Sequence, residues 1–357
     1  MAGLDKRLLA GGDLTDRERQ VLEAVVRTYV DTAEPAGSRT VSRRFDLGVS
    51  PATVRNTMSD LEEKGYLVHP HTSAGRVPTD RAYRFFVDRL MDPPRLSAQE
   101  QQKLVEQLDA AGSSAVERLV RQAVRALGLL SNELGVALAP RLDEAVLERV
   151  ELIQVSSDKV LLVATIRGGV VRTVYVDLPV EVPPETLVTL TVVLNERLAG
   201  LSLQEIRGTL PQRLRDAHAD EQGASELLNI FLQSGAELFS LQNLDSSRIH
   251  LGSASVLAAQ PEFDSGPRLK GLIELTERRE LLAAAVGNRD HGGQLQITIG
   301  GENDSVALSD FTLVTAEYRV GGLKGVIGVI GPTRMPYEKV VAIVDYTSSL
   351  VTRILGT

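Results

Sequence analysis

Arginine and asparagine can each hold a base edge by two hydrogen bonds, guanine in the first case and adenine in the second. They stand side by side at Arg55 and Asn56, within the run Ser50-Pro51-Ala52-Thr53-Val54-Arg55-Asn56-Thr57-Met58-Ser59. Around them Ala52 and Ser59, with Thr53 and Thr57 on the flanks, are small or hydroxyl-bearing residues that allow close approach to a groove. Such a surface needs a rigid support with an apolar back. Val54, Met58 and Leu61 fall at i, i+4 and i+7, one stripe of a helix facing a core. Ser50-Pro51 starts that helix, a hydroxyl to cap free amides followed by a ring already set at helical φ. The spacing predicts a helix over 51–64 that presents Arg55 and Asn56 to solvent.

The flanking elements are those that would position such a helix. Thr15-Asp16-Arg17-Glu18 is a capping box, and Val21, Leu22, Val25, Val26, Tyr29 and Val30 continue at helical spacing toward a stop near Pro35. A short second helix over 38–45 buries Val41 and Phe45, and Asp46-Leu47-Gly48-Val49 turns into the helix at Pro51. After Gly65, a C-terminal cap, residues 66–68 form a short strand, 69–75 a polar loop and 76–78 a return strand; Thr79-Asp80 then caps another helix. Three helices and a two-stranded wing make a winged helix-turn-helix, in which one helix enters the major groove and the wing lies on backbone or minor groove. The expected DNA contacts are Ser38, Arg39, Ser50, Ala52, Thr53, Arg55, Asn56 and Ser59 from the helices, and His71, Thr72, Ser73 and Arg76 from the wing.

Charge divides along the chain in a way that fits. Residues 39–89 carry nine Arg or Lys against six Asp or Glu, a net +3 in a chain of net −8, so the remainder sums to −11. Arg39, Arg43, Arg44, Arg55, Arg76, Arg81 and Arg84 concentrate attraction for phosphate, while the acidic remainder discourages indiscriminate coating of DNA. For any single arginine the competing reading is a surface ion pair with Asp60, Glu62 or Asp80. Arg55, by its helical facing, and Arg76, by its place in the wing, are the strongest candidates.

The segments at 14–42 and 49–88, and GVIGVIGPTRMPYEKVVAIVDYTSSLVTRIL near the other end, resemble the heat-inducible transcription repressor HrcA family of bacteria. The match runs from Leu14 to Leu355. Its most specific words are Ala52-Thr53-Val54-Arg55-Asn56, Pro70-His71-Thr72-Ser73-Ala74-Gly75-Arg76 and Ile330-Gly331-Pro332-Thr333-Arg334-Met335. Departures occur at Arg81-Ala82-Tyr83, where the family has a glycine before the tyrosine, and at Phe85-Phe86, where it has a tyrosine. The resemblance implies a homodimer on an inverted-repeat operator in double-stranded DNA, before chaperone operons of the groE and dnaK type. It also implies support of activity by the GroE chaperonin and relief of repression on heat stress. Dimerisation follows from the target as well, because one reading helix contacts too few base pairs to define a unique site.

At 357 residues the chain exceeds one ordinary domain, with 43% hydrophobic and 24% charged residues giving a globular balance. The absence of Cys leaves neither disulfides nor thiolate metal sites and fits a reducing cytoplasm. No stretch approaches the ~20 apolar residues of a membrane span, so no membrane partner is expected. The winged domain is expected over 1–92, where Pro93-Pro94 closes it. Helices over 97–108 and 116–130, then strands over 147–156, 159–167 and 170–176 with Gly168-Gly169 as a hairpin turn, read as α+β. Helical pattern follows over 184–198, 203–210 and 225–244. Strands resume at 294–299, 309–319 and 325–330, and a helix over 335–355 ends the chain. A helical block splitting a β-rich region is an insertion. The resemblance implies a GAF-like α/β domain with an antiparallel sheet, its two parts at 96–180 and 263–357, interrupted by an inserted dimerising domain at 181–262.

Other chemistries fit less well. His69 and His71 flank Pro70 without a third ligand at metal spacing, so phosphate contact or turn structure is the better reading. Gly322, Gly325, Gly328 and Gly331 lack both GxGxxG and the lysine-serine ending of a phosphate loop and suit a strand with its exit turn. Gly300-Gly301-Glu302-Asn303-Asp304 reads as a loop, and neither His291-Gly292-Gly293 nor Asp345-Tyr346 offers a nucleophile with its base. No catalytic residue, metal or cofactor is expected. The alternative to a heat-responsive repressor is a small-molecule-sensing transcriptional regulator with the GAF-like domain as sensor. A pocket with convergent polar groups would favour the sensor, and an apolar-filled sheet face the repressor.

Overall fold

The computed structural model describes residues 14–71, 74–92, 95–109, 116–140, 145–167, 170–177, 182–215, 249–287, 295–320 and 322–355. The predicted helix over 225–244, the turn at Gly168-Gly169, Pro93-Pro94, Thr72, Ser73 and His291-Gly292-Gly293 lie outside them.

The first helix, α1 (Asp16–Thr32), opens on the expected capping box: the Thr15 amide donates to Glu18 Oε2 at 2.7 Å and the Glu18 amide to Thr15 Oγ1 at 3.3 Å. It ends at Ala33 in the left-handed region, short of Pro35. Helix α2 (Ser38–Arg44) buries Val41 completely, and α3 (Pro51–Glu63) buries Val54, Met58 and Leu61 as the stripe required. Lys64 Nζ lies 2.9 Å from Glu18 Oε1, tying the end of α3 to the start of α1. Gly65 takes φ +76° and the chain turns into β1 (Leu67–Val68), which pairs antiparallel with β2 (Val77–Pro78). The return of this hairpin bridges to the α1–α2 loop through reciprocal backbone bonds between Ala36 and Arg76 at 2.8 and 3.0 Å. Helix α4 (Asp80–Phe85), capped by Thr79, runs on as a π turn to Leu90.

A five-stranded antiparallel sheet forms the centre of the chain, in the order β7-β3-β10-β9-β8. Its strands are β3 (Leu134–Leu138), β7 (Ile249–Leu251), β8 (Gln296–Ile299), β9 (Phe311–Val320) and β10 (Leu323–Pro332). Helix α6 (Val116–Ser131), α5 (Ala98–Asp109) on it, and the C-terminal helix α11 (Tyr337–Leu355) cover one face, burying Val314, Tyr318, Ile327 and Val329. Helices α9 (Gly266–Glu277) and α10 (Arg279–Gly287) cover the other, over Leu134, Val136, Leu313 and Ile330. The glycine run lies along β10 and its approach, as the strand reading required.

The strands β4 (Leu147–Ser156), β5 (Lys159–Ile166) and β6 (Val170–Asp177) begin where the sequence predicts, but they do not join that sheet. Among the described residues they pair only with one another, and they pack on α7 (Pro184–Leu198) and α8 (Leu203–Arg215) around Val150, Val160, Leu162, Leu190 and Ile206. The edge of β4 is closed by Asn195, whose side-chain amide accepts from the Val150 amide at 2.8 Å and donates to the Val150 carbonyl at 2.7 Å. The resemblance implies one GAF-like domain with an antiparallel sheet, its parts at 96–180 and 263–357, which would include β4–β6. Instead the chain leaves the central sheet after β3 and rejoins it at β7, which pairs with β3 itself, so β4–β6 lie outside that sheet.

Candidate nucleic-acid interface

The outward face of α3 is exposed at Pro51, Ala52, Arg55 and Asn56 and half-buried at Thr53 and Ser59. Its hydroxyls are committed to the helix itself. Ser50 Oγ accepts from the Thr53 amide at 3.2 Å and shares a bond with Thr53 Oγ1 at 3.0 Å; Ser59 Oγ donates to the Arg55 carbonyl at 3.3 Å. Thr57, expected on the flank of this face, is buried and donates to the Thr53 carbonyl at 3.2 Å, because it neighbours Met58 on the inward side. Among the described residues, Arg55 and Asn56 therefore present the polar heads on this face that carry no bond within the protein.

The seven arginines divide sharply. Arg39, Arg43 and Arg55 are exposed and form no ion pair with a described residue. Arg44 pairs with Asp31 and lies over the Phe45 ring. Arg81 stacks at 4.5 Å on the Tyr66 ring and donates to the Lys64 carbonyl at 2.8 Å. Arg84 is drawn away altogether, into a fork on Glu302 at 2.8 and 2.6 Å and onto the Ile297 carbonyl at 2.7 Å. Hydrogen bonding to Glu302 raises its pKa, although burial opposes the shift.

Arg76 departs from its expected role as a free wing arginine. Its side chain is 14% exposed and its Nη2 lies 2.7 Å from Glu62 Oε2, so the guanidinium braces the hairpin against the end of α3. The pairing with Ala36 sets this orientation: a residue bonded through both backbone groups to the α1–α2 loop turns its side chain toward the helices. His71 and Pro70 are exposed at the hairpin tip, where the Ala74 amide donates to the His71 carbonyl at 2.9 Å, and Ser38 is half-buried at the start of α2.

Sequence reasoning missed the groups that fasten this N-terminal region to the central sheet. Arg27 forks onto Glu338 at 3.1 and 2.8 Å. The Gly301 amide donates to Asp80 Oδ2 at 2.9 Å beside the Arg84–Glu302 fork, and Arg334 Nη1 donates to the Val30 carbonyl at 2.7 Å. Between these bonds Tyr83 and Tyr337 meet at 5.7 Å, both fully buried. One signal was available: α1 has no basic residue in its last turn to meet its exposed carbonyls, so a cation from elsewhere was to be expected.

The family model for the HrcA protein C-terminal domain matches residues 117–341. Heat-inducible transcription repressor HrcA of Chlorobium phaeobacteroides (strain BS1) is 36% identical over 356 residues, covering 96% of this chain and 99% of the relative. The repressor of the same name from Chlorobaculum tepidum is 37% identical over 356 residues, covering 96% and 98%. The chain belongs to the HrcA family of heat-inducible transcription repressors. A crystal structure of a hypothetical protein at 2.2 Å resolution shares the fold of this HrcA chain, with TM-score 0.61, 21% identity and coverage of 96% of this chain and 99% of the other. The role is thus that of a transcriptional repressor. Among the described residues, apolar side chains pack against both faces of the central sheet. No helix among the described residues is long and apolar enough to cross a membrane.

Proposed function

We propose that residues 1–92 of this HrcA-family chain are a winged helix-turn-helix domain. In this reading α3 enters the major groove of an inverted-repeat operator and the β1–β2 hairpin lies along the sugar-phosphate backbone. The observation that carries the reading is the pair Arg55 and Asn56, exposed and unpaired on a helix whose opposite side is anchored by Val54, Met58 and Leu61. Arg39 and Arg43 on α2 supply phosphate contacts. Ser38, Ser50, Ala52, Thr53 and Ser59 supply close packing, and His71, Thr72 and Ser73 supply further contacts to DNA. Arg76 holds the wing in place.

The repressor acts as a homodimer in the cytoplasm. We assign dimerisation to an inserted unit that runs from the end of β3 to the start of β7, an earlier start than 181 and an earlier end than 262. The outer face of β4–β6 supports this assignment. Ile153, Leu161 and Tyr175 stand in one row across the three strands, Val163 and Val171 lie beside them, and Tyr175 is 67% exposed. An apolar sheet face rimmed by the opposed charges of Arg149–Glu151 and Lys159–Asp177 matches a second copy of itself across a twofold axis. Chaperonin dependence fits a repressor whose active dimer lies only a few kcal/mol from a misassembled form, so that free GroE shifts its population. Selection from random double-stranded DNA by gel shift tests the whole reading. An inverted repeat with one preferred spacing is expected; recovery of unrelated sequences, or no recovery, refutes it.

A further inference from the structure

We propose that Arg334 is the positioning residue that sets the angle of the DNA-reading module against the rest of the repressor, and through it the operator spacing the dimer accepts. The inference rests on the DNA-binding reading above but names a residue that touches no DNA.

Arg334 bonds two separate parts of the chain with one planar group. Nη1 donates to the Val30 carbonyl at 2.7 Å, while Nη2 at 2.9 Å and Nε complete a parallel fork on Glu262. Val30 lies in the last turn of α1, where carbonyls lack intrahelical partners and the helix dipole is negative. Arg334 thus supplies from the exit of β10 the cation that α1 lacks in its own sequence. Glu262 stands on the segment that follows β7, where the chain has returned from the proposed dimerising unit. That segment is itself held fast: Gln260 Nε2 donates to the Asn132 carbonyl at 2.8 Å and to Glu133 at 3.2 Å, and the Phe263 ring stacks on Phe311 at 5.9 Å.

The turn that delivers Arg334 is equally constrained. A Cβ on Gly331 would lie 2.1 Å from Glu133 Oε2, so any larger residue would have to displace that buried carboxyl. Tyr337 Oη donates to the Thr333 carbonyl at 2.6 Å and Met335 is fully buried. The guanidinium therefore projects from a packed turn into a joint between reading module and dimer connection. The other fasteners, Arg27–Glu338 and Arg84–Glu302 with Asp80–Gly301 beside it, reach α11 and the turn after β8 and have no bond to the 260–263 segment. Lysine at 334 keeps the charge but cannot span all three acceptors, since it lacks the fork.

The test uses the full chain, which contains no Cys and so accepts two introduced labels without background. Spin labels on Glu63→Cys, at the end of α3, and Glu277→Cys, at the end of α9, report the module-to-core distance. Operators with half-sites at a series of spacings, and a lone half-site, report binding. In Arg334→Lys, and in Arg334→Met combined with Glu262→Gln so that no carboxylate is left unpaired, the distance distribution broadens. Preference for one spacing falls by at least about tenfold, while lone half-site affinity stays within about twofold, as Arg55 and Asn56 are untouched. Unchanged distances with unchanged spacing preference in both variants overturn the proposal. So does an equal loss on the half-site and the full operator, which would mark a merely structural role. A parent chain that ignores DNA while its variants show broadened distances refutes the DNA-binding reading alone and leaves the joint standing.

Discussion

Replacing Arg55 or Asn56 by alanine separates DNA reading from folding, because neither side chain has anything to lose inside the protein. Both are exposed and neither bonds another described residue, so the stability cost of each substitution is expected within about 0.5 kcal/mol. On DNA, each bidentate base contact discriminates by roughly 1–3 kcal/mol. A twofold dimer loses it twice, roughly 2–6 kcal/mol, which is about 30-fold to more than 10⁴-fold in affinity for the operator. The loss should concentrate at the base pair each residue reads. Arg76→Ala provides the internal contrast. Its guanidinium is mostly buried against Glu62, and removing it leaves that carboxylate without its cation. With Glu62 about a third exposed and solvent screening the remainder, about 1–2 kcal/mol of stability is expected to go. Operator affinity of the folded fraction should change little in base preference. Competition gel shifts on operators substituted one base pair at a time, with urea unfolding of the same preparations, give both quantities. Equal losses on operator and scrambled DNA for Arg55→Ala and Asn56→Ala would refute the assignment of α3 as the reading helix. A flattened salt dependence without loss of stability in Arg76→Ala would refute its bracing role.

Three further outcomes follow from single contacts. Gly300 holds φ +51° and an added Cβ would sit 2.1 Å from Asp80 Oδ2, so Gly300→Ala should cost about 2–4 kcal/mol in urea unfolding through backbone strain and loss of the Gly301–Asp80 bond. In combination with Asp80→Ala the cost should be clearly less than additive; strict additivity would deny the contact. Glu133 is buried, and burial pushes its carboxyl well above the usual 4.5. A raised carboxyl binds its proton more tightly folded than unfolded, so its stabilising effect is complete below the unfolded value and declines as pH rises toward the folded one. Glu133→Gln should therefore raise Tm at pH 8 and lose that advantage near pH 4; a pH-independent difference would contradict the burial argument. Finally, Ile153→Lys with Tyr175→Lys should weaken the dimer by several kcal/mol, as four apolar anchors are lost across a twofold interface. Sedimentation showing an unaltered dimer would remove the β4–β6 face from consideration.

What was legible in the residues was what neighbours in sequence decide. Thr15 with Glu18, Ser50 with Pro51, and the stripe Val54, Met58, Leu61 are local, and the helices they announce start where expected. Strand β5 alternates because one side packs on α7 and α8, and alternation is readable. Strand β3 was missed because it is buried on both faces, so Leu134-Gly135-Val136-Ala137-Leu138 carries no period and continues the apolar run of α6. Partnership between strands was not legible either. Nothing in 147–177 distinguishes a strand that joins β10 from one that pairs only with its neighbours; that depends on which helices cover it.

The same division explains the arginines. Spacing says which side chains could face DNA, but whether a given guanidinium does so depends on acceptors far away in the chain. Arg84 is claimed by Glu302, Arg76 by Glu62, and Arg27 by Glu338. The three residues that remain free, Arg39, Arg43 and Arg55, lie on α2 and α3. The arginines are thus of two kinds, one exposed on α2 and α3 and one bound within the protein, Arg76 inside the N-terminal region and Arg27 and Arg84 on carboxylates of the central domain. A carboxylate fork competes with phosphate for the same five donors, so Arg27 and Arg84 become available to salt or DNA only when the joint opens. Orientation of the reading helices is then coupled to the integrity of those forks. A heat-responsive repressor needs no separate sensor for its operator affinity to fall once these contacts loosen.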